Sequence, residues 1–251
     1  MTTKIEWADE TWNPVTGCTP ISVGCKHCYA ERMSKRLAGR FGYPADDPFR
    51  VTLHPDKLGQ PLRWRKPRRV FVCSMGDLFH DAVPFSYIQN VWNIMETARQ
   101  HTFMVLTKRP ERMEEFLTTV AGRFAVRGYM NPLPNVIGMV TAENQEQADE
   151  RIPWLLRSPF AVRGVSVEPM LGPVDIGDLL GDAYSSMHGG FAPGIDWIIC
   201  GVETGPGARP MDLDWARDLR DQCVAAGTPY FFKRDSTGCR TLDGVLWEQR
   251  P

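Results

Sequence analysis

Three of the chain's seven cysteines, Cys18, Cys25 and Cys28, share one short stretch with the spacing C-x6-C-x2-C. Pro20 and Gly24 lie between the first two, so the segment is a loop and not a helix. A loop carrying three thiols can point them at one place, and clustered thiolates ligate soft metal, either zinc or an iron–sulfur centre. Structural zinc normally takes four protein ligands. Three cysteines without a nearby fourth instead suit a [4Fe–4S] cluster whose remaining iron is open to a substrate or cofactor. Two other uses stay open. His27 could complete a zinc site, although it adjoins Cys28 and neighbours rarely both reach one tetrahedral ion. A disulfide within the trio would leave one thiol over.

A second set of chemistry-bearing residues recurs where apolar runs stop. Ser74, Gly76 and Asp77 follow Arg69-Val70-Phe71-Val72-Cys73, and Lys108 and Arg109 follow Thr102-Phe103-Met104-Val105-Leu106. Glu143 and Asn144, then Glu168, then Glu203, then Lys233 follow four later runs. One charged residue after one strand is an ordinary solvated cap. Charged residues after six successive strands predict a ring at one mouth, with the thiols on its rim. In that ring Lys108, Arg109, Arg209 and Lys233 could bind an anionic substrate, Arg suiting phosphate and carboxylate geometry. The alternative is that they pair with Asp77, Glu143, Glu168 and Glu203.

The elements that would position these residues alternate. A first strand is expected over 11–16, delivering the chain to the cysteine loop, and a helix over 29–40 with Ala30, Met33, Leu37 and Ala38 near one face. Residues 41–68 read as an irregular insertion rich in proline. Strands follow at 69–73, 102–106, 135–140, 161–167, 196–200 and 229–232, with helices at 85–100, 111–121, 145–156 and 212–226 between them, and a short helix over 174–180. Pro110 falls at a first helical turn, where its missing N–H costs nothing. Loops are expected over 122–134 and 181–194, and a tail over 235–251 with a turn at Leu242-Asp243-Gly244. Apolar runs without in/out alternation are what strands covered on both faces look like. Repeated βα units with right-handed crossovers predict a single α/β domain over 1–251, a partial or modified TIM-type barrel whose active face is at the C-terminal strand ends. An open doubly wound sheet is the runner-up.

Bulk properties exclude several classes. A net charge of −1 gives no global pull toward nucleic acid or membrane. No apolar run approaches the ~20 residues that span a bilayer. The start, Met1-Thr2-Thr3-Lys4-Ile5-Glu6-Trp7, has no signal-peptide apolar core, and with an odd cysteine count it predicts a reducing cytoplasm. The run Leu62-Arg63-Trp64-Arg65-Lys66-Pro67-Arg68-Arg69 is a solvated loop or a phosphate contact. Cys73, Cys200 and Cys223 read as small buried residues and Cys239 as exposed.

The cysteine stretch resembles the cluster loop of radical S-adenosylmethionine (SAM) proteins, C-x3-C-x-aromatic-C. Cys25-Lys26-His27-Cys28 matches its second half, with His27 in the aromatic place and a longer first gap. The wider chain resembles a phage and bacterial family of radical-SAM-like, three-cysteine-motif proteins of unknown function. The strings that carry this are Trp12-Asn13-Pro14 through Cys28-Tyr29-Ala30, Ser74-Met75-Gly76-Asp77-Leu78-Phe79, Leu106-Thr107-Lys108-Arg109-Pro110, Val167-Glu168-Pro169 and Gly201-Val202-Glu203-Thr204-Gly205-Pro206-Gly207-Ala208-Arg209-Pro210.

The resemblance implies the radical SAM kind of barrel and a [4Fe–4S] cluster on Cys18, Cys25 and Cys28. It implies SAM on the fourth iron, cleaved to a 5′-deoxyadenosyl radical that abstracts hydrogen from a substrate, and an external electron donor. Ser74, Gly76 and Asp77 would meet the methionine amine, and Glu143, Asn144, Glu168 and Glu203 the rest of SAM, with Lys108, Arg109 and Lys233 as catalytic candidates. A three-cysteine-motif partner protein and a nucleic-acid substrate are further implied possibilities. A cluster- or zinc-stabilised binding module without turnover is the competing reading, and a photoproduct enzyme like the spore lyase a third.

Overall fold

The computed structural model describes residues 5–121, 132–181 and 194–251. The expected loops over 122–134 and 181–194 lie largely outside them. The chain divides into two compact units, Met1–Gly138 with Ser158–Ala161, and Met139–Arg157 with Val162–Pro251.

The first unit holds β1 (Glu10–Trp12), β2 (Val15–Thr16), α1 (Tyr29–Leu37), β3 (Thr52–Leu53), β4 (Arg69–Val72), α2 (Phe85–Thr97), β5 (Thr102–Thr107) and α3 (Pro110–Glu115), which runs on into a wider turn, Phe116–Ala121. The next strand, β6 (Val136–Thr141), spans the division. β1 pairs in parallel with β4, and β4 with β5. The strand expected over 11–16 is two strands, because Pro14 has no N–H to donate to a ladder. Its carbonyl is taken by the His54 backbone N–H at 2.8 Å and the Tyr87 hydroxyl at 3.0 Å. β2 leaves the main sheet and pairs antiparallel with β3, inside the insertion. On α2 the residues Ile88, Val91, Trp92 and Met95 are buried, the face that helical spacing predicts. Phe116 packs against Phe79, Phe85 and Trp92 with ring centroids 5.6–6.2 Å apart.

The second unit holds α4 (Gln145–Arg157), β7 (Val162–Val167), β8 (Trp197–Cys200), α5 (Leu213–Ala226), β9 (Tyr230–Phe232) and the hairpin β10 (Thr241–Leu242) and β11 (Val245–Leu246). β7, β8 and β9 pair in parallel. Every residue of β8 and β9 is buried, as expected of strands covered on both faces. The tail lies along the edge strand: Phe231 bridges Glu248 antiparallel, and the Phe232 N–H donates to the Trp247 carbonyl at 2.9 Å. That pairing covers an edge that would otherwise be open to other chains. Asp243 and Gly244 turn the hairpin at φ 53° and 78°. The helix expected over 174–180 shrinks to one turn, Gly177–Leu179. Gln222 takes the backbone groups a helix would use, accepting from Ile176 N–H at 2.8 Å and donating to the Val174 carbonyl at 3.0 Å.

The strand order in the sheet is β1-β4-β5-β6-β7-β8-β9. A doubly wound sheet reverses its order at a switch point. This order never reverses, so the fold is the partial (β/α) barrel and not the runner-up.

Candidate functional site

The cysteine arm begins where β1 ends. Asn13 turns its side chain onto the loop after β4, its carbonyl oxygen accepting from Met75 N–H at 3.0 Å and the Ser74 hydroxyl at 3.2 Å. Gly17 N–H donates to the Met75 carbonyl at 2.9 Å, and Gly17 bridges Gly76 in parallel. Both glycines are required by space. A Cβ on Gly76 would lie 2.8 Å from the Gly17 carbonyl oxygen, so the room expected to admit a ligand holds the arm's own backbone. Gly17 is at φ +83°, and a Cβ there would lie 2.3 Å from the Arg50 carbonyl oxygen.

Past Gly17 the chain carries Cys18, a single turn at Val23–Cys25, and Cys28 at the N-cap of α1. Cys28 packs against Ala30, Tyr43 and Met75. All three thiols are half-buried, and none of the seven cysteines is in a disulfide. Their electrostatic settings differ. Burial pushes the Cys18 thiol up, as does the nearby Asp77 charge, against the opposing Arg109. Burial also acts to raise Cys25, but hydrogen bonds from the Ile21 backbone and Ser22, with the Lys108 charge, outweigh it and hold that thiol below its usual range. Among the described residues, no three His, Cys, Asp or Glu side chains already form a group that could hold a metal ion. The donor set still fits a cluster with three protein ligands: three free thiols, one loop, and cations beside two of them.

Arg109, the residue before α3, reaches this arm. One terminal nitrogen donates to Cys18 Sγ at 3.3 Å and meets Asp77 at 3.4 Å. The other donates to the Thr19 carbonyl at 3.1 Å and its hydroxyl at 3.0 Å. The Arg109 side chain is only 8% exposed. Asp77, expected to accept from an ammonium, has its carboxylate filled by the chain itself. It accepts from Thr107 Oγ1 at 2.8 and 3.0 Å, Phe79 N–H at 3.0 Å and Lys108 N–H at 3.1 Å. His80 completes the group, 2.9 Å from Thr19 Oγ1.

In the second unit each expected acid has a cation of its own. Glu143 is wholly buried and pairs with Arg151 at 2.8 Å, and Arg151 also donates to the Thr141 carbonyl at 2.8 Å. Asn144 accepts from Gln147 N–H at 3.2 Å in the first turn of α4. Glu168 pairs with Lys233 at 2.5 Å. Glu203 accepts from Arg209, from its backbone at 2.9 Å and its guanidinium at 3.0 and 2.5 Å.

The structure therefore joins Cys18, Ser74, Gly76, Asp77 and Arg109 in one network within the first unit. Asn13, Thr19, His80 and Thr107 belong to it and were not anticipated. Thr107 ends β5 with a polar side chain, a signal that could have marked it. Arg151 was missed although it shares the buried face of α4 with Ala148, Ile152 and Leu155, because a charged side chain reads as solvated wherever it falls. Of the basic run, Arg68 pairs with Glu10 at 2.6 Å and Arg69 with Asp9 at 2.8 Å, while Arg63, Arg65 and Lys66 are exposed. Cys73, Cys200 and Cys223 are buried and Cys239 exposed, and burial pushes the Cys200 thiol up to about 12. Among the described residues no helix is long and apolar enough to cross a membrane.

No curated protein matches this chain. Among solved structures, a spore photoproduct lyase complexed with dinucleoside spore photoproduct is similar at a TM-score of 0.50 and 13% identity, over 92% of this chain and 78% of that one. A cysteine-to-serine mutant of spore photoproduct lyase gives 0.48 at 12% identity, over 92% and 78%. A double mutant with bound AdoMet and dinucleoside spore photoproduct gives 0.43 at 11%, over 88% and 62%. The first likeness shows a shared fold. The family described as protein of unknown function (DUF5131) matches residues 2–251, so the chain belongs to that family.

Proposed function

We propose that this chain is a radical SAM-type enzyme in which Cys18, Cys25 and Cys28 hold a [4Fe–4S] cluster and SAM binds beside it. One observation carries the reading. Three free, half-buried thiols ride on one arm that the Gly17–Gly76 bridge fixes past the ends of β1 and β4. The fold likeness to a spore photoproduct lyase supports it. Cluster and SAM together would supply reductive cleavage of the sulfonium and hydrogen abstraction. The chain's own part is to orient the arm, keep Cys18 beside Arg109 and exclude water from it. Ser74, half-buried on the loop that meets the arm, is the candidate SAM contact, because Asp77 is taken up by Thr107, Lys108, Phe79 and Arg109. A cofactor contact through Glu168 or Glu203 would share that carboxylate with Lys233 or Arg209.

The substrate class in this reading is nucleic acid or another anion. The lyase structure holds a dinucleoside, and Arg63, Arg65 and Lys66 are exposed here for phosphate. The electron comes from an external donor, a three-cysteine-motif partner protein is a possible companion, and a reducing cytoplasm suits seven free thiols.

Anaerobic reconstitution with iron and sulfide, followed by a dithionite assay for 5′-deoxyadenosine, tests this. A brown protein is expected, its visible absorption lost in Cys→Ala variants at 18, 25 and 28, with 5′-deoxyadenosine formed from SAM. A colourless preparation that takes zinc instead would move the reading to a metal-stabilised binding module without turnover.

A further inference from the structure

Arg109 has its donors committed in an unusual direction. It pairs with Asp77 at 3.4 Å, and an arginine so paired ordinarily leaves the rest of its fork to water. Here both terminal nitrogens point into the cysteine arm: one to Cys18 Sγ at 3.3 Å, the other to Thr19 at two oxygens, 3.1 and 3.0 Å away. The backbone N–H of Arg109 is itself held by Thr107 Oγ1 at 2.8 Å, and Thr107 in turn by Asp77. From the other side His80 fixes Thr19. His80 Nδ1 accepts from Ala82 N–H at 3.0 Å, so in the neutral ring Nε2 carries the proton and donates to Thr19 Oγ1 at 2.9 Å. The guanidinium is thus locked against the first cysteine by groups from three separate segments.

We propose that Arg109 is a positioning residue that stays hydrogen-bonded to the Cys18 sulfur in the loaded protein and raises the reduction potential of the cluster. This rests on the cluster reading above. One-electron reduction, with the electron from the external donor, adds one negative charge to the iron–sulfur core. An N–H donor on a ligating sulfur and a fixed positive charge beside it both stabilise that added charge. Arginine suits the task because its fork is rigid and its charge is permanent. Asp77 holds the fork, and its own charge is spread over the donors of Thr107, Phe79 and Lys108.

The experiment compares wild type, Arg109→Gln and Arg109→Lys after anaerobic reconstitution. Iron per chain and the midpoint potential from an EPR-monitored titration are read for each. The expected result is comparable iron in all three, a shift to lower potential in Arg109→Gln, and partial recovery in Arg109→Lys, which keeps the charge without the fork. Arg109→Lys carries the test if Arg109→Gln fails to load or fold, because losing the fork to Cys18 and Thr19 should by itself lower the potential. Iron-loaded variants titrating at the wild-type potential overturn this proposal and leave the cluster reading intact. A wild-type protein that takes no iron overturns both.

Discussion

Gly17 and Gly76 meet backbone to backbone at the root of the cysteine arm, where a Cβ on Gly76 would lie 2.8 Å from the Gly17 carbonyl oxygen. The neighbouring atoms belong to backbone, which cannot swing aside as a side chain does. Gly76→Ala is expected to cost about 1–3 kcal/mol of stability, as overpacking does. Because the strain lands on the arm, iron loading should fall with it. Denaturant unfolding and iron analysis read the two effects; an alanine variant with wild-type values on both would refute the assigned role.

The buried pair Glu143–Arg151 offers a test in the second unit. The two side chains are 0% and 2% exposed, so removing one partner takes the 2.8 Å counter-ion away from a buried charge. Arg151→Met should destabilise by about 3–5 kcal/mol. The double variant Glu143→Leu with Arg151→Met should recover much of that loss. Chemical denaturation of both variants measures it, and equal losses would place the cost in packing and not in charge.

His54 gives the arm a dependence on pH. Its ring is buried against Thr16, Nε2 lying 2.8 Å from the hydroxyl, with Tyr43 packed beside it. Burial, then the Lys57 charge, pull its pKa below the 6.5 of a free imidazole, with Asp56 opposing. The unfolded chain therefore takes up the proton first. Stability from this group is complete above pH 6.5 and is lost as pH falls from there through the native pKa. Melting temperature should drop as pH falls below about 6.5, and His54→Gln should flatten that drop. A slope unchanged by the substitution would assign it elsewhere.

Thiol chemistry in the iron-free protein should be uneven. Cys25 is held below the usual thiol range and Cys18 above it, both half-buried. The thiolate is the nucleophile, so limited iodoacetamide should label Cys25 before Cys18 near pH 8. Peptide mass spectrometry reads the order; Cys18 labelling first would contradict the opposed settings of the two thiols.

Some of this was legible beforehand because it depends on short-range pattern. The apolar runs at β4 to β9 and the helical faces of α2 and α5 are set by periodicity within a dozen residues. The burial of Cys73, Cys200 and Cys223 follows from the runs they sit in. The break at Pro14 was in plain view as a missing N–H, yet β2 leaving for β3 depends on Thr52 and Leu53 inside the insertion.

The amino-acid sequence alone determined the order of strands and helices, the loop that carries three thiols, and the polar residues at strand ends. Only the tertiary structure decided what those residues do to one another. Asp77 read as a free acceptor, but Thr107 and Arg109, some thirty positions on, consume it. Cys18 read as a ligand on the rim of a charged ring, and the fold decides which cation meets it: Arg109, 91 positions on, at 3.3 Å. Local spacing sets which side of an element a side chain leaves from. Which charge it finds there depends on segments that only the folded chain brings within hydrogen-bond distance.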